Sequence, residues 1–176
     1  MVGLLKAWPV AASIGGHCPP PKRTPARPGA PPYGAGLLSL VAHESNHVVI
    51  IGALGYPGTD AMSEGLASAV LAEPYRGRSY LHAWVKANAS KLRPLAELFD
   101  DAKFQELIRT SEGESIGYRS SGSFLAYLLD SYGPGKLKQI YYARSPEFAE
   151  RFQQAYGRSL ADAEADWLRY VGALAG

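Results

Sequence analysis

The sequence predicts a mainly α-helical domain over residues 37–176, behind a Pro/Gly-rich segment over residues 1–36. Three observations carry this reading. Residues 1–36 hold 8 of the 13 prolines and 6 of the 19 glycines, a density that blocks both helices and sheet ladders. Beyond Gly36, apolar residues recur at helical spacings between start and stop signals. No convincing alternating run that would predict a sheet precedes His43. The lead segment is expected to be poorly ordered, since it has few apolar side chains to offset the ~1–2 kcal/mol per residue of ordering a backbone.

The elements follow in order. Leu37, Leu38, Leu40, Val41, Val48, Val49 and Ile51 surround His43–His47 with apolar surface, which predicts a buried first helix. Gly52, Gly55, Pro57 and Gly58 signal a turn. A second helix is expected over about residues 60–72, with Asp60 as its N-cap and small residues Gly65, Ala67 and Ser68 that would let it lie close to the first. Residues 79–89 and 94–99 read as short helices, and Ser111 to Gly117 as a loop. Phe124, Leu125, Leu128, Leu129 and Tyr132 share one helix face, which Gly133-Pro134 ends. Ser145-Pro146 opens another helix, with serine as cap, and Gly157 closes it. Ser159, with Asp162 three residues on, opens the last helix, whose inner face is Leu160, Ala163, Trp167 and Val171. Trp84 and Trp167 are expected in the core.

Composition narrows the function classes. The net charge is +2 and the basic residues are scattered apart from Lys22, Arg23 and Arg27, so no nucleic-acid partner is expected. The single cysteine, Cys18, rules out an internal disulfide and reads as a bystander thiol. No unbroken run of 18 apolar residues exists, so no transmembrane segment is expected. Met1 to Cys18 makes no convincing export signal: Pro9 interrupts it, and His17 stands where a lipoprotein cleavage site wants a small residue.

The chemistry concentrates in His43-Glu44-Ser45-Asn46-His47. Histidines four apart lie one helical turn apart, so both imidazoles reach one metal ion. The glutamate after the first histidine is placed to act on a water at that metal. This is the HExxH pattern of zinc peptidases. With 4 histidines in 176 residues, chance supplies only about 0.005 such patterns per chain. Zinc needs a third protein ligand and an open position for water. Glu64 lies 17 residues beyond His47 on the second helix; Glu73, before Pro74, is its rival.

The order HExxH, short turn, Ser63-Glu64-Gly65-Leu66-Ala67 resembles the gluzincin metallopeptidases, in particular the peptidase MA-like group. The resemblance extends over residues 37–172. It includes Tyr118-Arg119-Ser120-Ser121-Gly122-Ser123-Phe124 and the closing stretch from Phe152 to Trp167. It implies a helical, zincin-like peptidase domain whose usual N-terminal β-sheet is missing or degenerate here. It implies one Zn²⁺ held by His43, His47 and Glu64, with Glu44 as general base and a peptide or protein as substrate. Tyr118 resembles the tyrosine-before-glycine arrangement of the aminopeptidase branch, which implies a hydrogen-bond donor to the reaction's oxyanion; Tyr80 and His82 are rivals for that role. Asn46, Asp60 and Ser63 are candidates to orient the imidazoles. The competing expectation is a peptidase-derived helical interaction module, weak or inactive in catalysis and either zinc-binding or metal-free.

Overall fold

The computed structural model describes residues 35–174, and every regular element among them is helical. The expectation of a poorly ordered lead segment, and that for Cys18, fall outside the described residues, except that Ala35 and Gly36 already belong to the first helix. The α-helices are α1 (Ala35–Leu54), α2 (Asp60–Ala69), α3 (Arg78–Ala87), α4 (Leu95–Leu98), α5 (Asp101–Leu107), α6 (Ser111–Ile140), α7 (Phe148–Tyr156) and α8 (Leu160–Ala173).

α6 is the axis on which α2 to α5, α7 and α8 pack, while α1 packs chiefly on α2. Its segment from Ser120 to Leu128 is buried on every side. Phe124 meets Phe99, Phe152 and Trp167 at ring-centroid distances of 5.9, 6.1 and 5.7 Å, and Phe99 stacks on Phe148 at 4.1 Å. Each fully buried phenylalanine contributes about 1.5–3 kcal/mol by removal from water, so this cluster is the main anchor of the bundle. Leu160, Ala163, Trp167 and Val171 are buried, as the spacing predicts. The indole N–H of Trp167 donates to Ser123 Oγ at 3.0 Å.

Several boundaries differ from expectation for identifiable reasons. Ser111 to Gly117 is helix, not loop: Thr110 caps it by accepting from Gly113 N at 3.0 Å, and Glu112 and Glu114 favour the N-terminal dipole. Its two glycines serve close packing against Leu107 and Phe104 instead of a turn. Thr59, not Asp60, caps α2, accepting from Met62 N at 3.2 Å. α2 stops at Ala69, short of the expected residue 72. Ser145 does not cap α7; its hydroxyl accepts from Asp101 N at 2.9 Å, and a short 3₁₀ turn intervenes. Gly133 (φ 76°) breaks α6 as read, but helix resumes through Ile140. Gly157 (φ 72°) ends α7, and Ser159 caps α8 through Asp162 N. Trp84 is only half-buried.

α1 overturns the expectation of a buried helix. One stripe, with Ser39, His43, Asn46, His47 and Ile50, is buried or half-buried. Leu37, Leu38, Leu40, Val41, Val48 and Val49 are exposed, at 53–74% of their full area. Gly36–Leu54 has a mean hydropathy of 1.4, long and apolar enough by composition to cross a membrane. The test for an unbroken apolar run missed this because the polar residues at 43–47 interrupt it. Within this structure His43, Asn46 and His47 among them bond to α2.

Candidate metal centre

The centre is built where α1 and α6 both pack against α2. Gly65 and Ser68 on α2 face Ser121 and Gly122 on α6. A Cβ on Gly65 would fall 2.9 Å from the Ser121 backbone, and one on Gly122 would fall 2.9 Å from Ser68 Cβ. Glycine is therefore required at this crossing. Of the small residues expected to bring α2 close to α1, Ala67 and Ser68 do so, while Gly65 packs against α6. The register of α1 on α2 is set by Asn46, whose Nδ2 donates to the Ala67 carbonyl at 2.8 Å.

That bond sits between His43 and His47 and turns both rings toward Glu64. His43 Nε2 lies 3.0 Å from His47 Nε2 and 3.0 Å from Glu64 Oε2; His47 Nε2 lies 3.2 Å from the same oxygen. The three side chains are largely buried, at 11%, 16% and 23% exposure. Behind each ring stands a serine on α2: Ser68 Oγ is 3.4 Å from His43 Nδ1, and Ser63 Oγ is 3.3 Å from His47 Nδ1. With each Nδ1–H donating to its serine, both Nε2 atoms present lone pairs inward. Three electron-rich atoms then converge on one point, an arrangement that calls for a cation. His43, His47 and Glu64 thus form a group that could hold a metal ion.

Without a cation, a proton on an imidazole Nε2 must bridge to Glu64 instead. Burial pushes the Glu64 carboxyl up, but the His43 hydrogen bond and the charges of His47 and His43 outweigh it, leaving Glu64 below the usual carboxylate range. Glu64 is therefore an anion at neutral pH.

Tyr118 belongs to the same site. Its ring stacks on His43 at 5.9 Å and on Phe104 at 6.3 Å. Burial, then the negative charge of Glu64, push its hydroxyl up to about 12, so it is a neutral donor at physiological pH. It lies inside α6, not ahead of it. Glu44 is exposed and borders a cavity of about 350 Å³ that His43, Tyr118, Tyr80, Arg76 and Arg119 also line.

Other candidates fall elsewhere. Glu73 is exposed and accepts from Ser79 N at 3.1 Å, away from the histidines. His82 is buried with Nδ1 2.8 Å from Ser123 Oγ and lines a different cavity, with Arg78, Asp130 and Tyr170. Asp60 contacts Gln105 and Asp101, so of the three proposed orienting residues Ser63 and Asn46 reach the site and Asp60 does not. Ser68 was missed as an imidazole partner, although it lies four residues beyond Glu64 and so on the same face of α2.

No family model matches this chain, and no curated protein or solved structure shows significant similarity to it. The metal centre therefore stands on its own geometry.

Proposed function

We propose that this chain is a zinc-dependent metallopeptidase of the gluzincin type, with a zincin-like helical domain. The observation that carries the reading is the convergence of His43 Nε2, His47 Nε2 and Glu64 Oε2 at 3.0–3.2 Å, with Glu44 lining the adjoining cavity. Tetrahedral zinc with N and O ligands at about 2.0–2.2 Å separates them by about 3.3–3.5 Å. The observed triangle needs to open by only a few tenths of an ångström. Two imidazoles and one carboxylate also leave a fourth position free for water.

Zinc bound there would lower the pKa of a water toward 7 and polarise a substrate carbonyl. Glu44 would take the proton from the attacking water and pass it to the departing amine. Tyr118, kept neutral, would donate a hydrogen bond to the carbonyl oxygen as it gains negative charge. Ser63 and Ser68 would hold the rings in the tautomer that leaves both Nε2 lone pairs free.

The exposed apolar face of α1 favours a second reading: a metal-binding helical interaction module with little activity, since a face of this kind marks contact surface. Glu44→Gln separates the two. Under the first reading it keeps full metal and lowers hydrolysis of casein or a quenched peptide by about 10²–10⁴-fold. Hydrolysis unchanged in Glu44→Gln, or absent in the metal-loaded wild type, removes the peptidase reading.

A further inference from the structure

The cavity beside His43 is lined by two arginines, Arg76 and Arg119. Arg119, half-buried on α6, places its guanidinium 5.0 Å from the Trp84 ring centroid and 5.6 Å from that of Tyr80. Arg76 stands 5.3 Å from the same Tyr80 ring. Neither makes an ion pair among the described residues. Arg78, Arg151, Arg158 and Arg169 are each paired with a carboxylate; of the arginines that are not, Arg76 and Arg119 are the two that line this cavity. Both guanidiniums are within reach of one ring centroid, so they lie at most about 11 Å apart.

Local backbone geometry brings Arg76 there. It is the one non-glycine residue with positive φ (67°) among the described residues, a conformation that costs about 1–3 kcal/mol. Gly77 follows it in a bend too tight for a Cβ, 2.8 Å from the Leu71 carbonyl. A guanidinium stacked on an aromatic face keeps its N–H edges free in plane, in the fork geometry that binds a carboxylate through two hydrogen bonds.

We infer that this site selects substrates bearing a carboxylate, bound by Arg119 and Arg76 in the cavity next to the metal centre. The carboxylate is either an acidic side chain or a free C-terminus of a peptide. The inference deepens the peptidase reading and rests on it for the identity of the substrate. Glu114 and Glu44 also line the cavity and oppose anion entry; their negative charges both act on Tyr118, at the metal side. A carboxylate at the Arg119 and Arg76 side of Tyr80 meets the opposite sign.

The test uses the full chain as Glu44→Gln with one equivalent of Zn²⁺, and fluorescence anisotropy of three matched peptides. One carries an internal Glu with an amidated end, one Gln with an amidated end, and one Gln with a free C-terminus. At least one carboxylate peptide should bind about tenfold more tightly than the neutral one, as for a charge-assisted hydrogen bond. The arm that gains identifies the source. Adding Arg119→Gln or Arg76→Gln should bring the ratio toward one while zinc content stays unchanged. Equal binding of all three peptides, no binding of any, or a preference that survives both arginine variants would overturn the inference. Selective binding without turnover in the wild type would support it while removing the peptidase reading.

Discussion

Gly65→Ala tests how Glu64 is positioned. An added Cβ would lie 2.9 Å from the Ser121 backbone carbonyl carbon, Cβ and Oγ. Ordinary carbon contacts are about 3.5–4.0 Å, so α2 and α6 must part by roughly 0.5–1 Å. A side-chain rotation cannot relieve a backbone contact. Overpacking of this kind costs about 1–3 kcal/mol, while alanine in place of a helical glycine returns about 1 kcal/mol. The net expectation is a destabilisation of up to about 2 kcal/mol, or a Tm lowered by up to about 8 °C at this size. Thermal melts followed by circular dichroism measure it with and without Zn²⁺. The zinc-dependent rise in Tm should also shrink, because Glu64 moves with its neighbour. Ser121→Gly removes the Cβ and Oγ contacts, so the double variant should recover part of the loss, with a coupling of about 0.5 kcal/mol or more. A Tm raised by Gly65→Ala, as at an exposed helix position, would refute the close crossing.

Further expectations concern the site itself. Tyr118→Phe should lower kcat by about 10²–10³-fold with little change in metal content or fold, the size expected for one lost oxyanion donor; unchanged kcat would remove Tyr118 from the reaction. Glu64 has a folded pKa below its ordinary 4.5, so in metal-free protein its contribution to stability is present above pH 4.5 and lost as pH falls through the lower folded value. Denaturant titrations of wild type and Glu64→Gln should therefore differ at about pH 6 and converge on acidification. A pH-independent difference would contradict the assignment.

The sequence was most legible where one local rule decides. Histidines four apart on a helix meet on one face, and the carboxylate expected at Glu64 does reach them. Ser159 with Asp162, and Gly157, mark real helix ends because capping involves only near neighbours. It was least legible where packing between distant elements decides. Gly113 and Gly117 read as loop, yet they sit inside α6, where they are glycine because Leu107 and Phe104 crowd the place of a Cβ. Leu37, Val41, Val48 and Val49 read as core, yet they face outward, because apolarity says that a surface resists water and not what covers it. Ser68 escaped notice because serine in a helix has many bland roles, and only the ring of His43 beside it gives it a specific one.

Metal analysis of the full chain tests the central claim most directly. After loading with Zn²⁺ and exhaustive dialysis, the wild type should retain one zinc per chain, and His47→Ala and Glu64→Ala should each retain none, with folding checked by circular dichroism. Stoichiometric zinc in folded Glu64→Ala, or none in the wild type, would contradict a centre built from His43, His47 and Glu64.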